Sequence, residues 1–309
     1  MPRDWHETFR AWAKPPSETE ETKASNAARM INDAVRETGV LSARHFTVYA
    51  TGSYRNNTNI RLGSDVDVAL VLKELLFYRL PAGRRPEEFG LGSSPPYRLD
   101  DFRQDVAKAL SMKFGGDVKP GNKAVRIAGN SNRLPADATP FLLHRAYSGQ
   151  RNADGSWNYV EGVETRPVDR PDRRVINWHQ EHYDNGVSKN DATNRRYKRV
   201  ARILKRLRDD MSKSGAAEAR AAAAPMASFL LECLAFNASD SCFNSQGGTY
   251  HDDVRAVIVS MRDATKADGT AAVLQEVSKR KLLFGTEQAW TRAQAHEFLL
   301  QASTHIGFK

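Results

Sequence analysis

The chain has 309 residues, enough for one bilobed unit or two domains, and its 40% hydrophobic content is that of an ordinary globular protein. A net charge of +9 points to anionic partners, nucleotides, nucleic acid or acidic surfaces, without choosing among them. No apolar run nears the about 20 residues of a membrane span and the N-terminus lacks a signal-peptide core, so a cytoplasmic location is expected.

In chain order, Ser17 and Glu20 form a capping box at the start of a helix. Ala27, Met30, Ile31, Ala34 and Val35 then share one apolar face, and Gly39 is expected to end that helix. Residues 46–72 predict two strands, and the Arg-, Pro- and Gly-rich residues 79–98 read as a mobile loop. Asp101 to Phe114 is an amphipathic helix carrying Phe102, Val106, Ala109 and Leu110. A hairpin region follows over about 118–145, and a short hairpin over 150–162. Helical patterns dominate from about residue 188. The helix from Asn194 to Met211 buries Tyr197, Val200, Ala201, Leu204, Leu207 and Met211, with Lys198, Arg202 and Lys205 as a neighbouring basic stripe. The Ala-rich Ser212 to Ala224 connects to a helix with Pro225 in its first turn. Cys233 and Cys242 read as core thiols, not a disulfide or metal pair.

The chemistry concentrates between the first two strands. Gly52-Ser53 precedes Asp65-Val66-Asp67-Val68 by about a dozen residues. Side chains two apart on a strand share a face, so Asp65 and Asp67 point one way while Val66 and Val68 enter the core. Paired carboxylates repel unless a cation holds them, and hard oxygen donors suit Mg2+. Gly52 lets backbone approach a phosphate, and Ser53 can cap a helix turn. A bare Asp-x-Asp is most often a solvated strand end; the upstream Gly-Ser and flanking strands turn the balance towards chemistry. Asp137, after the strand candidate Lys123 to Ile127 and a turn-rich Gly129-Asn130-Ser131-Asn132, is the candidate third carboxylate.

This arrangement resembles the nucleotidyltransferases built on the polymerase-beta-like core, with their Gly-Ser loop, Asp-x-Asp pair and third Asp on a later strand. The wording Gly52-Ser53-Tyr54-Arg55-Asn56-Asn57-Thr58-Asn59-Ile60-Arg61 followed by Ser64-Asp65-Val66-Asp67 narrows it. So do Ile176-Asn177-Trp178-His179-Gln180-Glu181-His182-Tyr183, the Arg195 to Arg208 helix and Pro225-Met226-Ala227-Ser228-Phe229. Over roughly residues 45–245 the chain is similar to the bacterial cGAS/DncV-like nucleotidyltransferases (CD-NTases), most of all to the CdnE clade.

The resemblance implies an α/β (α+β) fold: a bilobed polymerase-beta-like core with a mixed sheet, plus a helical C-terminal lobe. It implies a catalytic lobe at 1–170 with a long N-terminal helix, a nucleotide-binding helical lobe at 171–309, and a cleft between them. It gives Asp65, Asp67 and Asp137 two Mg2+ ions (Mn2+ in their place), and gives Gly52 and Ser53 the phosphates. Lys205 and Ser228 would grip the triphosphate, with Lys198 on the same basic stripe, and Phe229 would stack on a base. Asn177 stands where purine users tend to have Ser, which implies a pyrimidine substrate; an amide matches the edge of uracil. The implied activity is template-independent condensation of two nucleoside triphosphates (UTP, ATP, CTP) into cyclic UMP–AMP or cyclic di-UMP, with release of pyrophosphate. The setting is bacterial antiphage (CBASS) signalling. The product would act on a separate effector, and the synthase would be a monomer needing no nucleic acid. The same three Asp residues also suit an RNA-tailing or oligoadenylate-type transferase, and a nucleic-acid-binding protein on an inactive transferase fold is a further class. His144, His179 and His182 lack metal-ligand spacing and read as surface or structural; His251-Asp252-Asp253 reads as a loop or helix cap.

Overall fold

The computed structural model describes residues 3–61, 65–92, 96–243 and 248–308. The first half of the chain runs α1 (Trp5–Trp12), α2 (Glu18–Arg36), α3 (Gly39–Ser42), β1 (Phe46–Ala50), α4 (Gly52–Arg55), β2 (Val66–Arg79) and α5 (Leu99–Phe114). Strands β3 (Val118–Pro120), β4 (Val125–Ile127), β5 (Ala136–Arg151), β6 (Trp157–Thr165) and β7 (Val175–Asn177) come next. The rest is helical: α6 (His179–Ala192), α7 (Tyr197–Met211), α8 (Ala217–Ala223), α9 (Ser228–Asn237), α10 (Tyr250–Thr265) and α11 (Arg292–Ile306).

Two compact units result. One comprises Ser17–Arg55 and Asp65–His179; the other comprises Met1–Pro16, Asn56–Ser64 and Gln180–Lys309. The expected division at residue 170 falls at 179/180 instead. The N-terminal segment joins the helices because Phe9 on α1 is fully buried among their apolar side chains, and residues 56–61 join them through Asn57 O and Thr58 O, which accept from Arg202 and Lys205.

The first unit holds one mixed sheet of order β1-β2-β5-β4-β3, with β6 pairing β5 and β7. Among the described residues only β2 and β5 run parallel. Alternation along β2 sets the two faces. Val66, Val68, Leu70 and Leu72 are fully buried and pack with Ile31 and Val35 of α2 and with Phe102, Val106 and Leu110 of α5. Each such side chain contributes about 1.5–3 kcal/mol through burial. On the opposite face, Ala69 and Val71 of β2 join Phe141, Leu143 and Val163 in a smaller apolar floor. The box at the start of α2 forms as expected, with Ser17 Oγ accepting from Glu20 N and Glu20 Oε2 accepting from Ser17 N. Gly39 does not end α2: the helix stops at Arg36, and Gly39 opens α3. The described part of the expected mobile loop is anchored, since Phe89 is buried with its ring 4.4 Å from Trp157 and 4.9 Å from Tyr147; residues 93–95 lie outside the described residues.

In the second unit α7 is the central helix. Tyr197, Val200, Ala201, Leu204, Leu207 and Met211 are all fully buried, as the periodicity requires. The helix begins at Tyr197 rather than Asn194, because Asn194 and Arg195 take left-handed φ values of 49° and 63° and break the chain from α6. The Ala-rich connection contains α8, and Pro225 lies before α9 rather than in its first turn. Cys233 and Cys242 are free thiols. The His251-Asp252-Asp253 run is the first turn of α10, capped by Thr249. Among the described residues no single helix is long and apolar enough to cross a membrane.

Candidate active site on the sheet

Strand register brings the sequence-distant Asp137 to the Asp65-Val66-Asp67 segment. In the parallel pair β2–β5, Asp67 stands directly opposite Asp137. Asp65 precedes β2 on the face of Asp67, while Val66 and Val68 are buried the other way. Burial pushes the Asp137 carboxyl up, Arg126 opposes this, and the charge of Asp65 adds to it.

Gly52 is required by the same geometry. Its φ is +60°, and a Cβ there would lie 2.0 Å from Asp67 Oδ2. Thr51 N donates to Asp67 O at 2.8 Å, pinning the Gly-Ser segment to β2. Ser53 sits on the single turn α4, half-buried. The sequence motif is therefore one physical object, a loop folded tightly onto the carboxylate strand.

Sequence reasoning missed Arg126. On β4 it pairs in register with Asp137. Its Nη2 donates to Asp65 Oδ2 at 2.7 Å, and its Nε lies 3.5 Å from Asp137 Oδ1. Among the described residues no three His, Cys, Asp or Glu side chains are already drawn together as a cation cage. The donor set nonetheless fits a hard divalent cation: three carboxylates on one sheet face, two of them facing across a ladder.

The face that carries Asp67 and Asp137 also carries Asn177. Leu143 pairs with Val163, and Val163 with Asn177, so all three project to the floor side. The half-buried Asn177 amide has no hydrogen-bond partner among the described residues, leaving both donor and acceptor for a ligand. Beside this floor, Tyr49 Oη lies 3.1 Å from His179 Nδ1, and the His179 ring stands edge-on to Tyr49 and Phe141 at 5.8 and 5.7 Å. His179 thus packs on the sheet face that also carries Asn177. Behind Asn177, Gly162 admits the Trp178 ring: a Cβ would meet it at 2.6 Å. Fully buried Glu164 takes bonds from His144 Nδ1 at 2.8 Å and Arg174 Nη2 at 2.7 Å. Burial opposes ionisation of Glu164, but these partners outweigh it and hold the carboxyl low.

In the helical unit the expected phosphate ligands fare differently. Lys205 is a correction: its ammonium is buried and bound to Thr58 O at 2.9 Å, Thr58 Oγ1 at 3.2 Å and Glu232 Oε2 at 3.0 Å. Its side chain is 3% exposed. Glu232 also accepts from Thr58 Oγ1 at 2.6 Å and pairs with His182 Nε2 at 2.8 Å, so His182 is structural. Burial works against the Glu232 charge; Lys205, His182 and Thr58 together overcome it and hold the carboxyl far below its ordinary range. Arg202 is buried too, donating to Ala13 O and Asn57 O. Lys198 alone of the expected stripe is half-exposed, its Nζ 5.7 Å from the Tyr183 ring centre and with no carboxylate in ion-pair range among the described residues. Burial lowers its pKa. Ser228 is exposed at the start of α9, accepting from Arg208 Nη1 at 3.0 Å. Phe229 is half-buried between His182 and Trp290, at 5.6 and 6.1 Å.

Residues 184–307 match the family described as the cGAS/DncV-like nucleotidyltransferase C-terminal helical domain. Over 310 residues the chain is 36% identical to a Legionella pneumophila protein named cyclic dipyrimidine nucleotide synthase CdnE, covering 99% of each. It is 30% identical over 305 residues to the Elizabethkingia meningoseptica cyclic dipurine nucleotide synthase, covering 96% of this chain and 97% of that one. Among solved structures, the Rhodothermus marinus CdnE c-UMP-AMP synthase with Apcpp and Upnpp superposes with a TM-score of 0.82 at 29% identity, covering 99% of this chain and 98% of that one.

Proposed function

Because the chain belongs to the bacterial cGAS/DncV-like nucleotidyltransferases, we infer that it joins two nucleoside triphosphates into a pyrimidine-containing cyclic dinucleotide, releasing one pyrophosphate per bond formed. The observation that carries the catalytic part is Asp67 facing Asp137 across β2 and β5, with Asp65 beside them. The pyrimidine part rests on the uncommitted amide of Asn177, a donor–acceptor pair suited to the edge of uracil. Relatives named for dipyrimidine and for dipurine products both lie near this chain, so the base is a property of the pocket rather than of the family.

Asp65, Asp67 and Asp137 would hold two Mg2+ ions, with Mn2+ as a substitute. When bound, such ions neutralise the departing pyrophosphate and lower the pKa of the attacking ribose hydroxyl. Gly52 offers backbone, and Ser53 its hydroxyl, to the outer phosphates of the triphosphate. Lys198 and Ser228 are the phosphate-binding candidates of the helical unit; Phe229 is its candidate for stacking. Asn177 orients the base. No protein nucleophile is required: the hydroxyl of one nucleotide attacks the α-phosphate of the next, and a second such attack closes the ring. The substrates are UTP alone or UTP with ATP, giving cyclic di-UMP or cyclic UMP–AMP, with CTP as a further pyrimidine substrate. The protein works as a monomer without nucleic acid, and its product signals to a separate effector in antiphage defence.

The test is incubation of purified protein with Mg2+ and the four nucleoside triphosphates, then phosphatase treatment and mass spectrometry, with an Asp65→Ala/Asp67→Ala control. A phosphatase-resistant product containing uracil or cytosine, absent from the control, supports the reading. A purine-only ring would refute the role of Asn177. Extension of an added RNA instead of a ring would put the tailing activity in its place.

A further inference from the structure

We propose that Arg126 is the built-in counter-ion of the carboxylate site: it competes with the divalent cation for Asp65 and Asp137 and must swing off both before the site loads. This rests on Asp65, Asp67 and Asp137 being the metal-holding set.

Strand alternation aims Arg126 at the carboxylates. Its neighbours Val125 and Ile127 are buried on the other face of β4, so Arg126 must project from the face that carries Asp137. One guanidinium then spans two strands, with Nη2 on Asp65 and Nε towards Asp137. Three carboxylates without a cation would repel one another, and Arg126 supplies a positive charge at that point. The same planar fork that matches carboxylates is a poor neighbour for a metal ion that needs those oxygens.

Arg126 is also built to leave. Its side chain is 60% exposed. Arg133, the next arginine along, shows the contrast: its side chain is 6% exposed, tied to Asp117 and Ala128 O, and stacked on Phe114 at 4.8 Å. Arg133 is a structural cation; Arg126 is held by the two carboxylates and little else. Exposed ion pairs are weak, so the contact resists metal without excluding it. The contact thus lowers the apparent affinity of the site for the cation by a constant factor.

The experiment titrates Mn2+ into the full chain without nucleotide, following free ion by electron paramagnetic resonance. Arg126→Ala is expected to bind Mn2+ roughly three- to ten-fold more tightly than wild type, the scale of two exposed ion pairs. Lys119→Ala is the charge control. Lys119 is exposed and sits beside Arg126 in the β3–β4 ladder, and it should leave the affinity unchanged. Thermal unfolding gives a second readout: Arg126→Ala should melt below wild type in EDTA, and saturating Mn2+ should abolish that difference. Equal or weaker Mn2+ binding by Arg126→Ala would overturn the proposal, as would an equal tightening by Lys119→Ala. Asp65→Ala/Asp67→Ala separates the two levels. If it binds Mn2+ like wild type, the metal-site reading itself fails; if it loses binding while Arg126→Ala shows no gain, only the counter-ion role fails.

Discussion

Replacing Lys205 with Met removes an ammonium whose side chain is 3% exposed and whose three bonds go to Thr58 O, Thr58 Oγ1 and Glu232 Oε2. The methionine fills similar volume, so the loss is mainly electrostatic. Glu232, 4% exposed at its side chain, keeps its bonds to Thr58 and His182 but loses the cation that offsets its burial. Breaking a buried pair from one side costs about 3–5 kcal/mol. For a cooperative unit of this size that is a fall in Tm of about 10 °C. The double variant Lys205→Met/Glu232→Leu should regain part of this, because a buried pair replaced by apolar groups is often close to neutral. The assays are thermal unfolding by circular dichroism, and calorimetric binding of a non-hydrolysable triphosphate well below the transition. Lys205→Met is expected to melt early and still bind. Lys198→Ala should do the reverse, keeping the wild-type Tm and losing about ten-fold in triphosphate affinity, the scale of one charged hydrogen bond. A Lys205→Met protein with Tm within about 2 °C of wild type and no triphosphate binding would refute the reasoning.

Gly52→Ala should fold, since the forced left-handed residue costs only about 1–2 kcal/mol; but its methyl group must displace the Asp67 carboxylate, and turnover should fall by about 100-fold in a product-formation assay. Acid should destabilise the helical unit through Glu232. Its folded pKa is depressed, so its stabilisation is complete above the ordinary glutamate value of about 4.3 and drains away as pH falls below it. Urea unfolding at pH 6 and pH 3 should show the loss, and Glu232→Gln should flatten it. Asn177→Ala should reduce use of UTP far more than use of ATP, read by product composition from an equimolar nucleotide mixture; an unchanged ratio would remove Asn177 from base selection.

The parts of the site set by local pattern were legible. Gly52-Ser53 opens the short α4, and Asp65-Val66-Asp67 enters β2, where alternation alone fixes which way the carboxylates point. The capping box at Ser17 and the buried face of α7 were legible for the same reason. Asp137 needed the resemblance as well, because a parallel partner strand leaves no local mark in the sequence. The contacts of Arg126 and His179 were not legible because they come from register and packing: Arg126 is an exposed residue on a three-residue strand that reaches Asp65, and His179 meets Tyr49 and Phe141 only in the folded sheet. Lys205 misled because a helical stripe tells which residues are neighbours, not which are covered. Thr58 and Glu232, distant in sequence, consume its charge. The only cue was Glu232 itself, a carboxylate in the otherwise apolar Leu230 to Ala235 run.

The ladder between β2 and β5 has a consequence for how this enzyme can change. Asp137 lies on the functional face only because residue 137 pairs with residue 67. A slip of one position would present Ala136 or Ala138 there and turn the carboxylate into the apolar core. The place of Asp137 is therefore quantised in chain length upstream of β5: a change of length taken up in the turn at 129–132 leaves it opposite Asp67, while one transmitted to the strand removes it from that face at a single stroke. Between these two outcomes there is no graded path: the strand is held to a fixed phase, and the turn before it keeps Gly129, where a Cβ would meet Pro135 Cδ at 2.7 Å, and Asn130, whose Oδ1 accepts from Asn132 N and Arg133 N.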